Sequence, residues 1–179
     1  MEKKSTQPSE IAIRIAEPVD AELLVDLGRS SFYEAFAEET APQDMAEHLR
    51  RAFKIEDITE QLKNDQSLFI IIEISSEAAG YAYLHPGDPP DCVITPYPVQ
   101  LSRFYLRKDY YGRNVGNTLM KACLDFARSR GFQSVWLSTW EFNHRASAFY
   151  KKWAFEIAGR AKFTVGSDIQ NDNIFLRSI

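Results

Sequence analysis

Residues 100–131, QLSRFYLRKDYYGRNVGNTLMKACLDFARSRG, constrain the fold of this chain more than any other segment. The hydrophobic period changes within it. Val99–Leu106 has strand character, whereas Leu119, Met120, Cys123, Leu124 and Ala127 recur along one face of a helix that spans Asn114–Arg130 and stops at Gly131. Between them lies a short loop with Gly112 and Gly116. A strand that feeds a helix through a glycine-containing turn leaves amides without partners beside the positive end of the helix dipole, a ready site for phosphate. Arg107, Lys108 and Arg113 add positive charge there. Taken alone the pattern is weak, because many glycine-bearing helix starts are only turns.

A second segment strengthens it. In LSTWEFNHRASAFYKKWAF, residues 137–155, a strand is followed by Asn143, by Tyr150 seven residues later and by Phe155. An asparagine at a helix start can cap it and hold a ligand's amide, and a tyrosine two turns on faces the same side.

The rest of the chain supplies the frame. Ile11–Ile15 predicts a strand, and Pro18 with Asp20 a helix start. Leu23, Leu24, Leu27, Phe32 and Phe36 predict one or two helices, with a break near Gly28–Ser31. Further helices are predicted from Pro42 towards Phe53 and over Ile55–Lys63. Ser67–Ile74 and Ala79–His85 read as an antiparallel hairpin. Residues 87–98, GDPPDCVITPYP, are too rich in proline for a helix or a central strand and form a loop long enough to suggest contact with a ligand or partner. Ser134–Thr139 reads as a buried strand, Ala146–Trp153 as a helix, and Phe155–Phe163 and Asn173–Leu176 as the last two strands. The order requires parallel and antiparallel pairing together in a mixed α/β fold.

At 179 residues one domain is the expectation, residues 11–179, preceded by a flexible tail over residues 1–10. That tail is polar and lacks the apolar stretch of a secretory signal, which suggests a cytoplasmic protein. The longest apolar run, Leu68–Ile72, is far short of the ~20 residues of a membrane span. Cys92 and Cys123 lack metal-ligand spacing and read as free thiols, so no metal is expected. A formal charge of −4 argues against a nucleic-acid partner and suits a cationic acceptor better.

Together the two segments resemble the GCN5-related N-acetyltransferase (GNAT) family. Its acetyl-CoA loop, Gln/Arg-x-x-Gly-x-Gly/Ala, corresponds here to Tyr111, Gly112, Arg113, Asn114, Val115 and Gly116. Its later motif corresponds to Asn143, Ala146, Phe149, Tyr150, Lys152, Ala154 and Phe155. The second match is nearly complete. The loop departs at Tyr111 and at Asn114, which replaces a glycine with the residue next most tolerant of left-handed backbone. Within the family, residues 30–53, residues 136–155 and the GSDIQNDNIFLRSI tail are most similar to PaiA-type bacterial acetyltransferases, which act on polyamines.

The resemblance implies a single domain with a mostly antiparallel sheet of six to seven strands, splayed at the cofactor site and flanked by helices. It implies acetyl-CoA as cofactor, held by Phe104, Tyr105, Leu106, residues 111–117 (Asn117 included), Asn143, Phe149 and Lys152. The acceptor is then a small-molecule primary amine, and a homodimer is compatible with the family. A base must take a proton from an amine of pKa ~10.4. The family often places a glutamate on the strand before the loop, but Gln100 and Ser102 stand there and neither can serve. Glu141, Glu34, Glu38 or a water chain remain for that role, and Glu34, Glu38, Trp140 and Glu141 are the acceptor-binding candidates. A backbone amide near Tyr105 or Leu106 would stabilise the developing oxyanion, and Tyr150 would donate a proton to the leaving thiolate. The plainer readings are a core aromatic for Tyr150, a helix cap for Asn143 and a solvated helix face for Glu34, Glu38 and Glu39. Competing functions are acetylation of a protein or peptide, or acyl-CoA sensing without turnover.

Overall fold

The computed structural model describes residues 10–179; the predicted tail up to residue 9 lies outside the described residues. Seven strands form one sheet: β1 (Ile11–Ile15), β2 (Leu68–Ile74), β3 (Glu77–His85), β4 (Pro98–Leu106), β5 (Ser134–Trp140), β6 (Glu156–Val165) and β7 (Asp168–Ser178). Five α-helices accompany them: α1 (Ala21–Phe36), α2 (Pro42–Ala52), α3 (Ile55–Lys63), α4 (Val115–Ser129) and α5 (His144–Lys152). The spatial order is β1-β2-β3-β4-β5-β7-β6, antiparallel throughout except for the β4–β5 pair.

Each face of the sheet carries its own core. Leu68, Ile70 and Ile72 of β2 pack under α4, while Phe69 and Ile71, pointing the other way, pack under α1, α2 and α3. A strand buried on both faces reads as a continuous apolar run, which is why β2 stands out in the sequence. The β2–β3 turn is tight because Ser75 and Ser76 both take positive φ, 52° and 67°, the geometry that matches the twist of a two-residue hairpin.

The sequence-predicted break near Gly28 is absent: α1 is one continuous helix. Gly28 is there for space, since a Cβ would run into the Phe53 ring and lie 2.7 Å from the Tyr81 hydroxyl. The proline-rich loop does not reach the central cavity. Its Val93 and Cys92 pack on Trp136 and Ile174, covering the β5–β7 face as a small third core.

Two local irregularities set up the site. Tyr83 pairs with Arg103 but Leu84 with Leu101, so Ser102 is an extra, bulged residue in β4. The bulge shifts the alternation by one: Val99 and Leu101 face α4 before it, and Phe104 and Leu106 face α4 after it. Gly80 lets the bulged strand press close, because a Cβ there would overlap the Tyr105 carbonyl. The second irregularity is that β4 and β5 pair only from Pro98–Gln100 to Ser134–Trp136. Beyond Gln100 the strands part, and the cleft opens between them.

Helix α5 ends on a Schellman motif. The Phe155 amide donates to Tyr150 O at 3.1 Å, the Ala154 amide to Lys151 O at 3.0 Å, and the Phe155 ring meets Tyr150 at 5.8 Å. Ala154 occupies the left-handed position of that motif, φ 57°, where glycine is usual. Left-handed backbone costs a Cβ-bearing residue about 1–2 kcal/mol, partly offset by the greater chain entropy that glycine loses on folding. Ala154→Gly is therefore expected to raise the unfolding free energy by about 0.5–1 kcal/mol, read from urea denaturation at unchanged m.

Candidate active site

The cleft widens into a cavity of about 520 Å³, within the usual range for small-molecule sites. One part of its wall comes from β4, the loop before α4 and the start of α5. The other comes from α1 and the outer ends of β5, β6 and β7.

The loop presents a row of free donors. The amides of Gly112, Asn114, Val115, Gly116 and Asn117 make no hydrogen bond among the described residues, whereas Tyr111 and Thr118 donate to Lys108 O and Asn114 O. Asn114 is left-handed, φ 66°, and its Oδ1 accepts from Asn117 Nδ2 at 2.6 Å. Asn117 in turn accepts from Trp153 Nε1 at 3.0 Å. A side-chain relay from the end of α5 thus holds Asn114 in the conformation that a glycine would adopt freely. Converging amides at a helix start suit a diphosphate. Arg145 lines the same wall with its guanidinium 3.9 Å from the Tyr111 ring centroid, and Lys152 lines it as well. Arg113 and the Val115 side chain do not line the cavity. Arg113 leans towards Tyr110, and Val115 is buried in the core.

The β4 edge offers further groups. Arg107 donates to Ala79 O at 2.9 Å, so the alternate Tyr105 backbone also faces β3, while the Phe104 and Leu106 backbones face the cleft. Of the two amides considered from sequence, Tyr105's is turned away and Leu106's is open. The Tyr105 side chain lies on the face of the sheet that packs under α1, 5.6 Å from Tyr81 and 6.0 Å from Phe53.

Tyr150 is 8% exposed, its ring set edge-on to Phe104, Phe149 and Phe155. It is both a core aromatic and a cavity residue. Its hydroxyl has no hydrogen-bond partner among the described residues, and burial, helped by Tyr105 and Cys123, pushes its pKa well above the usual tyrosine range. It therefore keeps its proton at neutral pH. Asn143 caps α5 by accepting from the Ala146 amide at 3.1 Å, which leaves its Nδ2 for the cleft.

The acceptor candidates are dispersed. Trp140 lines the cavity. Glu34 instead accepts from the Lys108 amide at 3.1 Å, Glu38 is exposed off the cavity wall, and Glu141 accepts from Asn171 at 2.8 Å with Arg160 at 3.5 Å. The carboxylates that do line it are Glu39 and Asp172. Asp172 was not singled out from sequence, because GSDIQNDN reads as a polar tail; the structure makes it the paired strand β7, and an acid at an inward strand position was the available signal. Asp172 is 4% exposed, accepts from Ser138 Oγ at 2.5 Å through Oδ2, and leaves Oδ1 buried with no partner. Burial pushes its pKa up, and the Ser138 bond pulls it partly back.

Residues 29–155 match the acetyltransferase (GNAT) family. The chain belongs to the GNAT family. It is thus an acetyl-CoA-dependent N-acetyltransferase, and the splayed strands with their amide-lined loop fit that donor. Among similar proteins, an uncharacterized N-acetyltransferase from Mycobacterium bovis is 29% identical over 160 residues, 89% of this chain and 98% of its own. Another, from Lactobacillus delbrueckii subsp. lactis, is 25% identical over 155 residues, 87% of this chain and 90% of its own. The fold is shared with the PaiA N-acetyltransferase of Thermoplasma acidophilum, solved with coenzyme A, at TM-score 0.77 and 20% identity, covering 95% of this chain and 99% of that one. Among the described residues no helix is long and apolar enough to cross a membrane.

Proposed function

We propose that this GNAT enzyme acetylates the primary amine of a small cationic acceptor, a polyamine such as spermidine or spermine, in the cytoplasm. One observation carries the reading: among the described residues, the part of the cavity away from the loop is lined by rings and carboxylates and by no lysine or arginine. Phe36 meets Phe32 at 4.7 Å and Trp140 at 6.4 Å, and Phe163 stands across from them. Glu39 is at the rim, Asp172 is buried, and the cationic lining residues, Arg145 and Lys152, both belong to α5. Aromatic faces attract alkylammonium groups and accommodate the methylene spacers between them. The PaiA-like features of the sequence point to the same class. Cys92 and Cys123 are both free thiols, which suits a reducing compartment.

Bound acetyl-CoA supplies an acetyl thioester. The chain's own groups do the rest. The amides of residues 112 and 114–117 would hold the diphosphate, and the open edge at Phe104 and Leu106 would pair with the amide-bearing arm as an added strand. The Leu106 amide, open to the cleft, would stabilise the charge that develops on the carbonyl oxygen. Tyr150, held protonated, donates to the sulfur as it leaves.

The test is product analysis. Incubation with acetyl-CoA and a pooled set of polyamines, amino acids and peptides should yield acetylated polyamine by mass spectrometry. Acetylation confined to peptides or amino acids would overturn the acceptor class.

A further inference from the structure

We propose that Asp172 is the general base of this enzyme, taking the proton from the acceptor's ammonium group, with Ser138 as its positioning residue. The inference rests on the acceptor being a primary ammonium, and it adds the group that deprotonates it. The strand before the loop offers no base there, since its candidates are Gln100 and Ser102.

Asp172 combines features found in no other carboxylate of the cavity. It sits on β7 opposite Trp140 of β5, and it is 4% exposed. No cationic side chain pairs with it among the described residues, and Oδ1 has neither donor nor counter-charge. A buried carboxylate without a partner costs folding free energy. An ammonium entering the cavity supplies the missing charge. Ser138, exposed to the cleft, donates to Oδ2 and so orients the carboxyl with Oδ1 free.

The surrounding charges leave Asp172 as the proton acceptor. From the turn that follows α1, Glu39 is the charged residue on the same wall, and it lies at the exposed rim. From β6, Arg160 and Lys162 point to the opposite face, where Arg160 meets Glu141 and Lys162 meets Asn171. From α2, Asp44 is engaged by Ser167, and His48 is stacked on Phe32 with its pKa lowered by burial. From β7 itself, Asp168 accepts from Gln170.

The step balances as follows. One N–H bond of R–NH₃⁺ breaks and its proton passes to Asp172, forming the carboxylic acid. The freed lone pair attacks the thioester carbonyl carbon, and the C–S bond breaks. The departing sulfur takes the second nitrogen proton by way of Tyr150, and Asp172 releases its own to solvent. One amide, one thiol and one proton result.

The raised pKa also has a stability consequence. Ionisation of Asp172 destabilises the fold relative to the unfolded chain, so the loss sets in as pH rises above the ordinary carboxylate value and is complete above the folded pKa. Asp172→Asn removes it, so its Tm at pH 7 should equal or exceed the wild type's, and the gain should vanish in acid.

The experiment is the pH dependence of kcat/KM for Asp172→Asn and Ser138→Ala, with calorimetry for acetyl-CoA, on whichever primary amine the wild type accepts. Asp172→Asn should lose about 10²–10⁴-fold in kcat/KM at pH 7 with unchanged acetyl-CoA affinity. Its rate should climb about tenfold per pH unit towards the amine pKa of ~10.4, because only amine already neutral then reacts. Ser138→Ala should move the acidic limb to higher pH. Wild-type rates in Asp172→Asn, or a loss of rate with the wild-type pH profile, would overturn the proposal. Activity on peptide amines alone would sink the polyamine reading and leave this test intact, since any ammonium must first lose a proton.

Discussion

Replacing Tyr150 with phenylalanine is expected to lower kcat by about 10²–10⁴-fold, the range for loss of a positioned proton donor, while the Kd for acetyl-CoA holds. Stability separates this role from a structural one. A buried tyrosine whose hydroxyl is hydrogen-bonded typically contributes about 0.5–1.5 kcal/mol through that bond. Here the hydroxyl has no partner among the described residues, and the ring contacts with Phe104, Phe149 and Phe155 survive in phenylalanine. Denaturation of the variant should therefore show no loss of stability. Wild-type turnover would remove Tyr150 from the chemistry, and a fall in Tm with turnover intact would make it a core residue alone.

Gly116→Val is expected to abolish measurable acetyl-CoA binding in calorimetry. The reason is contact rather than dihedral angle. A Cβ at Gly116 would lie 3.3 Å from Leu106 Cδ1, which is tight, and 3.5 Å from Phe149 Cε2, an ordinary contact, and valine adds two methyls beyond it. Leu106 and Phe149 line the same cavity wall, so the added methyls crowd the space beside the Val115, Gly116 and Asn117 amides and hold a diphosphate off them. Hydrogen bonds to a charged group contribute about 1.5–3 kcal/mol each, so losing two weakens Kd by about 10²-fold or more. Wild-type affinity in this variant would show that the loop does not hold the diphosphate.

Much of this site was legible along the chain because its parts are local. The change of period between Val99–Leu106 and Leu119–Ala127 marks a strand and a helix, and Gly112 and Asn114 mark the turn between them. Asn114 was readable as a left-handed residue because it stands where the family's loop has glycine and is the residue next most tolerant of that backbone. The helix cap at Asn143 and the face shared with Tyr150 follow from spacing.

Other features needed partners from distant segments. The polar stretch GSDIQNDN reads as tail, yet it pairs with β6 from Asp168 onward and with β5 from Asp172 onward, and that pairing turns Asp172 inward. Glu34, Glu38 and Glu39 are indistinguishable as letters on a helix. Their positions around the end of α1 put Glu39 on the cavity wall and leave Glu34 holding Lys108. Gly28 mimics a helix break because sequence does not show that Phe53 and Tyr81 occupy the space beside it.

By itself the sequence determined the strand–loop–helix unit with its free amides, the capped helix that carries Tyr150, and the family. Each depends on residues within a few turns of one another, where spacing and backbone preference suffice. Only the tertiary structure decided which backbone edge of β4 faces the cleft and which carboxylate sits unpaired beneath the aromatic wall. Those outcomes depend on the Ser102 bulge, on the parting of β4 from β5 and on the inward register of β7, all of them set by contacts between segments far apart in the chain.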